Sequence, residues 1–283
     1  MICSSRLSVS FGAQEILKEV SFDIHHGETA CVIGPNGAGK STLIRALSGD
    51  LKPNKGEVML AGDPIKDLPL DTLARRRAVV TQDTSVPFSF RSAEVIALGL
   101  TPWGLSYAEA EGVIRSVADI TDVQHLLGRD IRTLSGGERQ RVQLARALAQ
   151  LWPGDFSSQA LLLDEPISAL DMGQQTRTLN LLRDLREREL TIICVMHDLN
   201  AALSCADRLL LLKGGELMAD EDPYRLDLPR LLSEAFETPL QQVQRGTGKA
   251  PIITPVRTHR LNRPKLKSSP QEKRHAHTDR TDR

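Results

Sequence analysis

Between Ile33 and Leu43 the chain reads Gly34-Pro35-Asn36-Gly37-Ala38-Gly39-Lys40-Ser41-Thr42, the pattern GxxxxGK[ST] in full, after an apolar run and before a helical one. Glycines let such a loop wrap closely enough for backbone N–H groups to face phosphate oxygens, and the helix that follows adds the positive end of its dipole. Lys40 is then placed to bridge β- and γ-phosphates, and Ser41 to bind Mg²⁺, so the expected ligand is a nucleoside triphosphate. Far downstream, Ala160-Leu161-Leu162-Leu163-Asp164-Glu165 is an apolar strand ending in two carboxylates. Asp164 suits an acid that organises magnesium, and Glu165 a base that polarises an attacking water. A structural pair at a strand end would explain the two carboxylates taken alone. A third segment, Leu134-Ser135-Gly136-Gly137-Glu138-Arg139-Gln140, opens a helix with Ser and two Gly where a helix N-terminus can face an anion.

These groups need a scaffold, and the pattern of apolar residues supplies one. Short apolar strands alternate with helical patterns from residue 1 to about 235, which predicts an α/β domain with a substantially parallel sheet. Residues 6–11 and 16–24 read as an antiparallel opening. Further strands are expected at 29–33, 56–60, 78–81, 160–163, 191–196 and 208–212. Helical patterns run at 40–47, 92–98, 107–118 and 136–151, and from 83 to 159 strand signals are absent. The expected layout is a nucleotide-binding core with a helical insertion at about 83–159, the domain ending at 244.

In order and spacing these motifs resemble the ATP-binding cassette (ABC) ATPases, for which LSGGE/Q is the signature. The remaining family motifs follow in sequence: Gln82 after a strand, Ser168-Ala169-Leu170-Asp171 after the acidic strand, and His197 after Thr191–Met196. A lone Gln or His would ordinarily be surface or core, and it is their order that gives them meaning. Phe11 matches the family's adenine-stacking aromatic, although Phe22 also lies nearby. The resemblance implies a P-loop NTPase of ABC type: a mixed sheet core, an antiparallel β subdomain and an inserted helical subdomain. It implies ATP bound by Phe11 and residues 34–42, Mg²⁺ held by Ser41, Gln82 and Asp164, and catalysis by Glu165, His197 and Gln82. It also implies a head-to-tail homodimer in which Ser135, Gly136, Gly137 and Glu138 act on the partner's ATP, with Asp171 in the D-loop.

Several stretches are similar to one subgroup, the ATP-binding subunits of hemin importers: residues 43–51, 73–80 and 95–99, and above all the long link Leu151–Gln159 between signature helix and acidic strand. That similarity implies two separate transmembrane permease subunits, a periplasmic hemin-binding protein reached through the complex, and a place at the cytoplasmic face of the bacterial inner membrane. Ferric-siderophore and cobalamin importers have closely similar ATPases. Ile167 departs from the family's usual Thr, and Asp83-Thr84 from the subgroup's usual His or Ser, without removing a phosphate ligand.

Composition sets the outer limits. The 283 residues carry 36 Lys+Arg and 36 Asp+Glu, with 40% hydrophobic and 4% aromatic residues. No apolar stretch approaches the roughly 20 residues that span a bilayer, and the N-terminus lacks the basic-then-apolar pattern of a secretory signal. The zero net charge hides an asymmetry, because residues 245–283 hold 11 Lys+Arg against 3 Asp+Glu. This basic tail is expected to be mostly disordered. Its lack of aromatics and the acidic body argue against a nucleic-acid partner. Cys3, Cys31, Cys194 and Cys205 show no metal-ligand spacing and read as reduced thiols, mostly buried. His25-His26, before Gly27, read as surface residues rather than hemin ligands, and His259, His275 and His277 as tail residues rather than a metal site.

Overall fold

The computed structural model describes residues 1–82, 88–225, 227–243 and 251–256. Strands β1 (Ile2–Phe11) and β2 (Gln14–Ile24) form a hairpin, and β3 (Thr29–Ile33) leads into α1 (Lys40–Leu47). Strands β4 (Lys55–Leu60) and β5 (Asp63–Pro64), helix α2 (Leu70–Arg76) and strand β6 (Arg77–Val80) come next. Three helices then run without an intervening strand: α3 (Ser92–Leu98), α4 (Tyr107–Ile120) and α5 (Gly136–Leu151). The chain returns through β7 (Ala160–Asp164), α6 (Met172–Glu187), β8 (Thr191–Val195), α7 (Leu199–Cys205), β9 (Arg208–Lys213) and β10 (Glu216–Glu221). It closes with α8 (Leu228–Phe236), β11 (Leu240–Val243) and β12 (Ile252–Pro255).

Among the described residues, six strands form the central sheet in the order β10-β9-β3-β8-β7-β6. Strands β9 to β6 are parallel, and β10 adds an antiparallel edge. A second, antiparallel sheet has the order β2-β1-β4-β5. In β3, β7 and β8 every residue is buried. A parallel strand covered on both faces must be apolar throughout, which is why these segments read as unbroken runs. Alternate residues feed two cores. Cys31, Ile33, Leu161, Leu163, Ile192 and Cys194 face the layer that includes α3, α5 and α7, while Ala30, Val32, Leu162, Ile193 and Val195 face α1 and the antiparallel sheet. Truncating a fully buried leucine such as Leu162 to Ala should cost about 2–5 kcal/mol.

Caps set the helix starts. Ser135 accepts a hydrogen bond from Glu138 N at 3.2 Å while the Glu138 carboxylate accepts one from Ser135 N at 2.8 Å, a reciprocal box that starts α5. Ser106 with Glu109 does the same for α4, and Asp171 and Asp198 cap α6 and α7. The link Leu151–Gln159 is itself packed. Trp152 and Phe156 meet edge to face with the Arg188 guanidinium over both rings, and Gln159 Nε2 donates to Arg75 O at 2.7 Å.

Part of the expected tail behaves otherwise than its composition suggested. Ile252–Pro255 pair with β11, Ile253 is buried, and Asn200 on α7 both donates to Ile253 O (3.2 Å) and accepts from Ile253 N (2.8 Å). The apolar run Pro251-Ile252-Ile253 supplies the surface buried here, so a tail boundary placed by net charge at 245 takes in a paired strand. Residues 257–283 and Asp83-Thr84 lie outside the described residues.

Candidate functional site

Parallel register brings the chemistry to one edge. Cys31 pairs with Cys194 and Asp164 with Val195, so the C-terminal ends of β3, β7 and β8 deliver Gly34, Asp164-Glu165 and His197 to the same side of the sheet. This is where ligands bind in open α/β sheets.

The glycine loop leaves β3 through Gly34 at φ +148°, with the backbone so close to β9 that a Cβ there would lie 2.1 Å from Leu212 O. Gly39 caps α1 in the left-handed region, φ +99°, and a Cβ on it would press on Ile16 O at 3.0 Å. Neither position tolerates a side chain without moving β9 or β2. Lys40 Nζ donates to Gly34 O (2.8 Å) and Pro35 O (2.9 Å), which ties the loop to the helix start. Burial lowers the Lys40 pKa, and the Glu165 and Asp164 carboxylates oppose that shift.

Asp164 closes β7 with 6% exposure, and its Oδ1 has no hydrogen-bond partner among the described residues. Burial raises its pKa, and a hydrogen bond from Ser41 works in the opposite direction. Glu165 adopts φ +56°, a left-handed conformation that costs a non-glycine residue on the order of 1–3 kcal/mol. Its backbone is held on both sides. Glu165 N donates to Val195 O at 3.1 Å, and Glu165 O accepts from Gln140 Nε2 at 2.7 Å and from Ser168 Oγ at 3.1 Å. The carboxylate hydrogen-bonds His197 Nε2.

Beside these groups lies a cleft of about 700 Å³, the size class of small-molecule sites, whose wall does not include Asp164. Asn36, Gly37, Gly39, Lys40, Ser41, Thr42, Gln82, Glu165 and His197 are in its wall. Gly34, Pro35 and Ala38 belong to the same loop behind that wall. Phe11, 49% exposed at the end of β1, is not part of the lining, whereas Gln14 and Ile16 on β2 are. The sequence offered no signal for those two beyond their place just after the Phe11 turn. Gln140 likewise carries no sequence signal beyond its place at the end of Leu134–Gln140.

Ser135, Gly136, Gly137, Glu138 and Asp171 do not line the cleft. They form a surface of their own at the starts of α5 and α6, where a Cβ on Gly137 would lie 2.9 Å from Ala169 O. Ser135 and Glu138 are held by their capping box, with Arg129 paired to Glu138 at 3.2 Å. Asp171 Oδ1 accepts from Gln174 N at 2.9 Å.

Comparison with known proteins agrees with this architecture. The family model described as ABC transporter matches residues 17–168. The hemin import ATP-binding protein HmuV of Pseudomonas fluorescens (strain Pf0-1) is 40% identical over 236 residues, covering 83% of this chain and 92% of that protein. Among solved structures, an inward-facing metal-chelate type ABC transporter superposes with a TM-score of 0.74 at 26% identity, over 90% of this chain and 97% of that one. The dimeric post-hydrolysis state of the ATP-binding cassette MJ0796, bound to ADP and Pi, superposes at 0.70 with 27% identity, over 78% and 98%. With a matched family model across the phosphate loop, the signature and the acidic strand, the chain belongs to the ABC transporter family as one of its ATP-binding cassettes.

Proposed function

We propose that this chain is the ATP-hydrolysing subunit of a bacterial hemin importer, working as a homodimer beneath two separate membrane-spanning permease subunits. The observation that carries the enzymatic part is the convergence of Lys40, Ser41, Asp164, Glu165 and His197 at one sheet edge. The likeness to hemin import ATP-binding proteins over 83% of the chain supports the cargo. Among the described residues no helix is long and apolar enough to cross a membrane, which fits dependence on a separate permease.

In this reading residues 34–42 wrap the triphosphate and Lys40 exchanges its two loop carbonyls for β- and γ-phosphate oxygens. Phe11 stacks on adenine from the neighbouring hairpin. The orphaned Asp164 Oδ1 beside the Ser41 hydroxyl is a hard-oxygen pair that suits Mg²⁺, with Gln82 completing the set. That ion, when bound, neutralises phosphate charge. Glu165 takes the proton of the attacking water, and His197, hydrogen-bonded to it, orients that water and holds the γ-phosphate. A positioned base of this kind is worth roughly 10²–10⁴ in rate. Ser135, Gly136, Gly137 and Glu138 close the site from the other protomer, with Asp171 alongside. The complex sits at the cytoplasmic face of the inner membrane, receives cargo from a periplasmic hemin-binding protein and has no nucleic-acid partner.

The test is to reconstitute the chain with its cognate permease and measure phosphate release. Hemin-loaded binding protein should stimulate hydrolysis more than a ferric-siderophore or cobalamin carrier does. Stimulation by cobalamin or siderophore alone would overturn the cargo while leaving the ATPase intact.

A further inference from the structure

Three cysteines far apart in sequence meet inside the core. Cys31 on β3 and Cys194 on β8 are register partners, and Cys205 closes α7 above them. Cys31 Sγ lies 3.1 Å from Cys194 Sγ and 3.8 Å from Cys205 Sγ, and all three sulfurs fall within 4.8 Å of one another. Cys31 and Cys194 are fully buried and Cys205, at the end of α7, is 9% exposed. We propose that Cys31, Cys194 and Cys205 form a binding site for monovalent copper in three-coordinate sulfur geometry.

The donor set selects the ion. Thiolates favour soft ions, chiefly Cu(I), zinc and iron–sulfur clusters. Structural zinc takes a tetrahedron of four ligands, and iron–sulfur clusters are generally held by four cysteines. Among the described residues this group offers three donors, all sulfur, within a buried apolar layer where a water would make a poor fourth. Three sulfurs in a plane around an ion at a bond length of about 2.3 Å would stand about 4 Å apart. The two Cys31 spacings, 3.1 and 3.8 Å, fall short of that value by less than about 1 Å and the third lies within 4.8 Å, so small rotamer shifts that spread the sulfurs suffice. Binding moves no electron: Cu(I) arrives reduced, the thiols release their protons to solvent, and of the net charge of −2 left by three thiolates around Cu(I) the Arg183 guanidinium, donating to Ser204 O beside Cys205, offsets part, with the Asp207 carboxylate opposing it. An occupied site would tie β3, β8 and α7 together, the elements that carry the phosphate loop and His197. The proposal is independent of which cargo the importer takes.

The experiment is an anaerobic titration of the reduced full-length chain with Cu(I) held by bathocuproine disulfonate, whose colour reports the copper it still holds. The chain should withdraw one equivalent, gain ultraviolet thiolate-to-copper absorbance and melt at higher temperature. Cys205→Ser should weaken uptake by more than about tenfold, the loss that even an outer-shell change produces, and Cys3→Ser should leave it unchanged. If the Cys205 variant fails to fold, X-ray absorption on the wild-type chain decides, with three sulfur neighbours expected. No withdrawal, uptake retained in folded Cys205→Ser, a copper shell other than three sulfurs, or preferential capture of zinc would overturn the site.

Discussion

Two adjacent carboxylates at the end of β7 have different environments and should fail differently. Asp164 is buried with an unpartnered oxygen, whereas Glu165 turns out at φ +56° to meet His197. Glu165→Gln keeps the shape and removes the proposed base, so nucleotide should still bind while phosphate release falls by roughly 10² or more. Size-exclusion chromatography with MgATP should then show a persistent dimer. Asp164→Asn should instead weaken magnesium-dependent nucleotide binding and leave little dimer. Gln140 acts one step further back, because its amide holds the strained Glu165 carbonyl. Gln140→Met should lower unfolding stability by about 1 kcal/mol, readable in urea titration. It should also reduce turnover more than nucleotide affinity.

At the level of elements, α5 joins two regions that the sequence shows only as separate stretches. Its N-terminus carries the signature, and its C-terminal half reaches α2 through Gln150 Nε2 to Ala74 O (2.6 Å) and strand β6 of the central sheet through Gln150 Nε2 to Arg77 O (2.8 Å) and Arg146 Nη2 to Val79 O (3.1 Å). One helix therefore contacts both the signature and the strand that precedes Gln82. The C-terminal hairpin is the other element with a consequence. Truncation before Ile252 removes β12, with the buried side chain of Ile253 and the two hydrogen bonds its backbone makes with Asn200. Thermal melts should show this truncation about 1.5–3 kcal/mol less stable than one made after Val256, the worth of burying one such side chain. Equal melting of the two would mean that β12 contributes nothing.

For the whole molecule, the signature surface and the phosphate loop belong to one chain but not to one cleft. Such a separation is resolved when a second copy supplies the missing side, and a dimeric cassette is among the superposable structures. Ser135→Arg sets a bulky cation on that surface. It should abolish hydrolysis at saturating ATP while nucleotide affinity stays within a few-fold. The lost cap costs about 1 kcal/mol, so the melting temperature should drop by only about 2–4 °C. Hydrolysis at a normal rate would argue that each chain works alone.

Much of this molecule is legible in its sequence because its signals are local. A glycine loop between an apolar strand and a helix, a capping box at Ser135 and Glu138, and a five-residue apolar strand ending in carboxylates each state their own conformation. Accordingly β3, α1, α3 and α5 begin and end where the residue pattern puts them. Helices α6 and α7 left weaker traces: α6 is polar over much of its length, and α7 is too short for a periodic stripe. Only the tertiary structure decides what depends on register between distant strands. The φ of Glu165 is set by contacts with Val195 and Gln140, the left-out aromatic Phe11 by where β1 ends, and the folded edge of the tail by Asn200. The thiol cluster is the clearest case. Cys31 and Cys194 each stand three residues before a functional loop, and nothing in a linear spacing of that length reveals that a parallel pairing sets their sulfurs side by side.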